Sequence, residues 1–432
     1  MKPWVKRTLK ILGWIVAVLV VALLGLFLYV QTTWDTPVER PTAQMVASRD
    51  SATIARGEFL FKYSATCWMC HTPTLRVSEL PSGGEVYDLR DFGPGFGTFY
   101  VKNITPDDET GIGTWTDGEI VRAIREGIGK DGRTFFIMPS RAFNRMSDDD
   151  ALAIAAYLKS LPPVRNPIPA HQYNFPIKAL YAFKMIQPQP PITAPVQAPT
   201  RAVSVEWGKY LANHASTCTD CHSPLDVNTG QFYTDSLFMG GNFAIGEPFG
   251  SVPEERIDPI WAFGKNLTPD PETGIGNWTE EQFVMAVKAG MRPDGTVLVG
   301  SAMPYPYYAL WEDDDVKAMY AYFRTLKPVR KTVPAYIVHS QEISSGSGVP
   351  RGKALFRAYC QNCHGENGTG APATKTTMAE LAPTIDDQVL KEFISNGQLN
   401  LYMPAFGKTL TADQLEDVVA FIRSWETKAD SN

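Results

Sequence analysis

The pentad Cys-x-x-Cys-His occurs three times in this chain, at Cys67 to His71, Cys218 to His222 and Cys360 to His364, and its copies use every cysteine present. Two thiols three positions apart lie on one side of a helical turn, where each can close a thioether to a vinyl group of a porphyrin. The adjacent histidine then offers its imidazole to the iron. With six Cys and six His in 432 residues, chance would supply about 10⁻³ such pentads per chain. Other uses of the motif fit less well. A zinc site needs further Cys or His ligands near each pentad, and none is left over. A thioredoxin-type pair does not need His after its second Cys. Structural disulfides leave the three histidines unexplained. The pattern predicts three covalently bound haems c, attached through Cys67, Cys70, Cys218, Cys221, Cys360 and Cys363, with His71, His222 and His364 as proximal iron ligands.

The chain has 44% hydrophobic residues, ample for ordinary globular cores, and its length fits two to four domains. Its 40 Lys and Arg against 46 Asp and Glu give a net charge of −6, with no long basic run beyond the extreme N-terminus. That balance argues against a nucleic-acid partner. Ile11 to Val30 is a run of twenty residues without a charge, enough for a helix of roughly 30 Å, the thickness of bilayer hydrocarbon. Lys2, Lys6, Arg7 and Lys10 precede it, so the positive-inside rule leaves the N-terminus in the cytoplasm and the rest of the chain on the far side, the periplasm of a bacterium. A cleaved secretory signal would have a shorter apolar stretch ending in a small-x-small site. Here Gln31-Thr32-Thr33-Trp34 follows instead, favouring an uncleaved anchor.

Asn103 to Thr116 (NITPDDETGIGTWT) and Asn266 to Thr279 (NLTPDPETGIGNWT) are identical at 11 of 14 positions, pointing to an internal duplication. The third unit is shorter and lacks this segment. Each unit opens with a helical stretch that runs into its pentad. Gly57 and Gly208 stand ten positions before the first haem cysteine and Gly352 eight before its own. Glycine inside a helix marks the close approach of another element, here the helix that closes the same unit. Closing helices are expected from Ser147, Glu312 and Thr411, with Ser147 and Thr411 as good N-caps and Glu312 as a poor one. Capping boxes at Thr116 with Glu119 and Thr279 with Gln282 start an extra helix in units one and two. The proline-rich segment 166–200 and the segment 331–349 read as linkers. The expected layout is an anchor and stalk over 1–50 and haem domains over 51–165, 201–330 and 350–428.

Met-Pro occurs once per unit, at Met138, Met303 and Met403, always between the haem histidine and the closing helix. Proline fixes the backbone after a side chain presented from a loop, and these three methionines are the expected distal ligands. Met69 lies within its own pentad, and Met146 aligns with Trp311 where Met138 aligns with Met303. Second histidines are poor alternatives: His214 stands four residues before Cys218, and His171 and His339 lie in the linkers. Gly93 to Thr105 and Phe249 to Thr268 are expected to cover a haem edge, and Trp115 and Trp278 to pack on a porphyrin or within the core.

On these residues the chain resembles the membrane-bound three-haem cytochrome c subunits of bacterial alcohol, gluconate and related sugar or aldehyde dehydrogenase complexes. The resemblance rests on the three pentads, on NITPDxETGIGxW after the first, on NLTPDPETGIGNWT and AMPYPYY after the second, and on CQNCHG with MPAF at the end. It covers nearly everything from 51 to 428. It implies an all-α chain of three class I cytochrome c-like domains behind the transmembrane helix. It further implies a catalytic dehydrogenase partner, a quinoprotein, flavoprotein or molybdoprotein, and delivery of electrons to ubiquinone, a soluble cytochrome or a terminal oxidase. Two features depart from that pattern: an N-terminal anchor with a polar tail from Glu426 to Asn432, and MPSRAF in the first unit where the second has MPYPYY. The expected function is a periplasm-facing electron relay without catalytic residues, since no dinucleotide fingerprint or nucleophile motif is present. The rival is a peroxidase-like haem enzyme in which the first haem keeps an open site; a ligand-binding sensor is a third reading.

Overall fold

A computed structural model describes residues 2–73, 79–84, 86–88, 95–226, 231–241, 244–245, 259–370 and 377–425. Residues 93–94 and 249–258 of the two expected haem-edge segments, and the polar tail 426–432, lie outside them. The chain begins with a 31-residue helix, Pro3–Thr33, whose apolar side chains face outward along nearly its whole length. Three helical units follow, each built on a core of its own.

In every unit an opening helix crosses a closing helix: Ser51–Phe59 on Asp148–Ser160, Val205–Tyr210 on Asp313–Phe323, and Gly348–Tyr359 on Ala412–Arg423. The crossings sit at the predicted glycines. A β-carbon on Gly57 would overlap the carbonyl of Ala153, one on Gly208 that of Ala318, and one on Gly352 that of Asp417. The backbones are therefore in direct contact, which only glycine permits. An ion pair to a buried carboxylate pins each crossing. Arg56 donates two hydrogen bonds to Asp150 at 2.8 and 3.0 Å, Arg201 donates two to Asp315 at 3.0 and 2.7 Å, and Arg351 pairs with Asp417.

The helix ends follow the sequence. Ser147 accepts a hydrogen bond from Asp150 N, Thr411 forms a full capping box with Gln414, and Glu312 makes no side-chain cap. The boxes at Thr116 with Glu119 and Thr279 with Gln282 are both present, and their helices end at Gly127 and Gly290 in the left-handed conformation. In units one and two the opening helix passes into a π-helical stretch, Leu60–Ser64 and Leu211–Ala215, whereas unit three runs as α-helix to Tyr359. This extra turn takes up the two additional residues between glycine and cysteine in the first two units.

The all-α expectation needs one correction. Short antiparallel strands accompany the helices: Val86–Asp88 with Gly97–Tyr100 and Gln172–Tyr173; Leu225–Asp226 with Gln231–Phe232; and Ala244–Ile245 with Ile260–Phe263 and Ile337–Val338. Aromatic and β-branched residues in the loops after the pentads provide these strands. Gln172–Tyr173 and Ile337–Val338 come from the segments read as linkers, so both segments strap back onto the unit they follow. His171 accepts a hydrogen bond from Tyr100 N at 3.2 Å, and His339 stacks on Trp261 at 4.5 Å between centroids.

The duplicated segment is a locked loop. Asn103 accepts from Thr105 N at 3.0 Å and Thr105 Oγ1 at 2.7 Å and donates to Val164 O at 2.7 Å. Asn266 repeats this with Thr268 N, Thr268 Oγ1 and Val329 O at 3.0, 2.8 and 2.8 Å. Each loop thus ties the stretch after its pentad to the end of its closing helix.

Gly352→Ala should lower stability by about 1–3 kcal/mol through forced separation of the crossing helices. Gly25→Ala, which meets nothing within 4 Å, should leave it unchanged. Thermal unfolding of the two variants beside the parent checks this.

Candidate functional site

The pentads form single helical turns, Trp68–His71, Cys218–His222 and Gln361–His364, set directly after the opening helices. No disulfide joins any of the six cysteines. Burial pushes the thiols of Cys67, Cys221, Cys360 and Cys363 up to about 12, and that of Cys218 upward as well. A neutral thiol suits addition to a vinyl group.

His71 Nδ1 lies 3.1 Å from the carbonyl of Lys102, and His222 Nδ1 lies 2.8 Å from that of Lys265. A carbonyl can only accept, so Nδ1 carries the proton and Nε2 is left with its lone pair, the tautomer an iron ligand requires. Burial holds both imidazoles below the usual histidine range, hence neutral. His364 is pushed down to about 4 by burial, and its Nδ1 has no hydrogen-bond partner among the described residues. The two carbonyl acceptors stand immediately before Asn103 and Asn266, so the duplicated loop is the element that presents them. Further backbone support repeats in both units: Gly83 N donates to His71 O and Gly240 N to His222 O, each at 2.9 Å. Gly264 sits against the carbonyl of Cys221, where a β-carbon would collide.

Each expected distal methionine is half-buried against the same core as its pentad: Met138 with Cys67, Met303 with Cys218 and Met403 with Cys360. Met146 has no exposed surface and fills the first core, while Met69 packs at that core's margin. The first unit's departure in sequence leaves the backbone unaltered. Pro139 has φ −79° and ψ 46° and Pro304 has φ −77° and ψ 46°, and in both units the residue after the proline returns a hydrogen bond to the methionine carbonyl, at 2.8 and 2.7 Å. Trp115 and Trp278 pack at the margins of cores one and two. His214 is held in place beside Tyr210 at 6.5 Å, and burial lowers it to about 4.

The units meet through these same segments. Ser64 and Ala215 each stand three positions before the first cysteine of their unit, and Ser64 Oγ donates to Ala215 O at 2.5 Å. Phe59 and Tyr210 are likewise equivalent. Phe59 packs on Trp311 at the foot of the second closing helix, and Tyr210 donates to Asp150 at 2.6 Å on the first. Units one and two are thus paired about a pseudo-two-fold axis that passes beside both pentads. Arg141, three residues after Met138, lies 3.1 Å from Asp220 inside the second pentad. Burial raises Asp220 to about 6 in spite of that guanidinium. From unit two, Tyr307 packs at a tilt on Trp68 of the first pentad, with centroids 4.8 Å apart. The loop before Met303 meets the third unit, where Asn362 donates to Gly300 O at 2.8 Å and Ser301 N to Ala358 O at 3.3 Å.

Comparison with known proteins agrees with this geometry. Residues 54–162 match the Cytochrome c family model and residues 348–422 the model of cytochrome c oxidase, cbb3-type, subunit III. The chain is 28% identical to the cytochrome c subunit of alcohol dehydrogenase (quinone) from Gluconobacter oxydans, over 88% of this chain and 80% of that one. It is 25% identical to the fructose dehydrogenase cytochrome subunit from Gluconobacter japonicus, over 89% and 82%. Against a nicotinate dehydrogenase subunit from Pseudomonas putida it is 27% identical over 90% of its own length but spans only 32% of that protein. Cytochrome c domains carry covalently bound haem c, and the paired thiols and oriented imidazoles fit that group. Residues 54–162 and 348–422 thus carry cytochrome c domains, and over most of its length the chain is similar to the cytochrome c subunits of alcohol and fructose dehydrogenases.

Proposed function

We propose that this chain is a membrane-tethered relay carrying three haems c, one in each of the units near 51–165, 201–330 and 350–428. Each haem is attached through the two cysteines of a pentad and held by His71, His222 or His364, with Met138, Met303 or Met403 closing the other face. The observation that carries this reading is that the first and third attachment segments both touch residues 300–307 of unit two, while the first and second meet at Ser64 and Ala215. Contacts of this kind keep successive redox centres at short range, as serial transfer demands.

Bound haem supplies the one-electron chemistry. The protein's own contribution is to hold both axial side chains fixed: the Lys102 and Lys265 carbonyls orient His71 and His222, and the prolines after Met138 and Met303 set the opposing loops. Side chains held in this way would let a bound haem change oxidation state with little rearrangement of the protein. The matching backbone at Pro139 and Pro304 favours Met138 in the same role as Met303 over an open, peroxide-reducing haem. Electrons enter from a catalytic dehydrogenase partner and leave to ubiquinone, a soluble cytochrome or a terminal oxidase. The helix Pro3–Thr33 crosses the membrane with the haem units on its periplasmic side.

Purification of the tagged chain from native membranes in mild detergent should bring down a larger catalytic subunit, and an alcohol, sugar or sugar acid should then reduce the haem α band. Peroxide turnover by the isolated chain would instead establish the enzyme reading. Met138→Ala should open one haem, so that carbon monoxide changes the reduced spectrum by one third of the haem content, whereas Met146→Ala should cost about 2–5 kcal/mol of stability and leave the reduced spectrum insensitive to the gas.

A further inference from the structure

The segment 166–200 contains a helix, Phe175–Ala182, that packs on the end of the long N-terminal helix. Phe175 stacks on Phe27 at 5.7 Å between centroids with the rings 12° apart, and Phe183, just past the other end, packs on Tyr29 at 5.8 Å. Tyr29 Oη donates to Ala182 O at 3.4 Å, and Lys178 Nζ lies 3.3 Å from Gln31 Oε1 and 5.1 Å from the Trp34 ring. Phe175 and Phe183 are eight residues apart, about 12 Å of helix, while their partners Phe27 and Tyr29 are separated by only about 3 Å along the long axis. The short helix therefore lies across the long one. If the long helix is normal to a bilayer, the short one is parallel to the bilayer surface.

Its depth follows from its partners. Phe27 and Tyr29 belong to the last turn of the uncharged run that ends at Val30, which is the boundary between hydrocarbon and head groups. Phe175, Phe183 and Met185 remain 39%, 51% and 50% exposed, three large apolar side chains that the protein covers only in part. Trp34, Tyr173 and Tyr181 form an aromatic cluster at the same level, with Trp34 and Tyr173 5.6 Å apart edge to face. Tryptophan and tyrosine at this depth are the usual mark of a membrane interface. Lys178 and Lys184 supply cations at head-group level. Exposed apolar side chains, aromatics at the boundary and lysines beside them are the composition of a helix that lies in the interface plane.

We propose that Phe175–Met185 is a second membrane contact: an in-plane element whose Phe175, Phe183 and Met185 side chains enter the outer edge of the acyl region. The occupant of this face is the lipid bilayer, continuous with the lipid around the long helix. The first haem unit is thereby held at a fixed height and tilt, because Gln172–Tyr173, immediately before the helix, is hydrogen-bonded into its sheet. A single spanning helix would leave the unit free to swivel; two contacts at right angles fix it.

This inference rests on the reading of Pro3–Thr33 as a membrane span, and the test separates the two. The full haem-loaded chain is placed in nanodiscs of phosphatidylcholine and phosphatidylglycerol carrying a diazirine near the top of the acyl chain. After photolysis, lipid adducts are mapped by mass spectrometry. The peptide holding 175–185 should take up at least about tenfold more adduct than the peptide around Val46, which is 86% exposed and lies outside the interface. Phe183→Asp with Met185→Asp, changed at exposed positions that folding does not need, should bring that yield down to the Val46 level. Adducts on 11–30 with none above background on 175–185 would overturn the in-plane contact while leaving the span intact. Protection of 175–185 by a second copy of the chain, seen as a protein cross-link in place of lipid adducts, would overturn it as well. Absence of adducts on 11–30 would sink the spanning reading itself.

Discussion

Two helix backbones meeting with no β-carbon between them set the geometry of each unit. At Gly57, Gly208 and Gly352 the opening helix rests on a carbonyl of the closing helix, and a carboxylate of that closing helix holds an arginine from the opening segment. The contact fixes where the opening helix points. The pentad is its direct continuation, so the positions of the two thiols and the imidazole are inherited from the crossing. The closing helix in turn begins a few residues after Met-Pro, so the same contact also fixes the loop that carries the methionine.

The duplicated loop adds the second level of control. Its asparagine is buried and spends its side chain on the loop's own threonine and on the end of the closing helix, leaving the preceding lysine carbonyl aimed at the haem histidine. The lysine side chains share in this, since Lys102 and Lys265 reach the carbonyls of Pro169 and Pro334 in the straps that follow their units. Orientation of the imidazole thus depends on residues sixty or more positions away, through one connected set of backbone and amide hydrogen bonds.

Much of this is legible in the sequence, and the reasons are physical. Glycine at a helix crossing, side-chain caps and paired thiols are local requirements, so they leave residue types at fixed spacing. The glycines, Ser147, Thr116, Thr279 and Thr411 stand where local rules put them. The Lys102 and Lys265 carbonyls are not legible, because a backbone acceptor leaves no mark on residue type; only their place at the head of a repeat hints at them. Asp150 reads in the sequence as a first-turn carboxylate, and its bonds to Arg56 and Tyr210 come from elements far away along the chain. The strands escape because two- to four-residue ladders are too short for alternation to register, and two of them lie in stretches whose prolines suggest linkers. The pairing of units one and two about Ser64 and Ala215 is a property of surfaces, which spacing along one chain does not record.

The proposed function turns on closed coordination at each of three haems. The visible spectrum of the dithionite-reduced chain, scaled to haem per polypeptide and recorded before and after carbon monoxide, tests it most directly. Three haems per chain with no spectral change on adding the gas is the predicted result. Fewer than three haems, or a change equivalent to one haem in the unaltered chain, would contradict it.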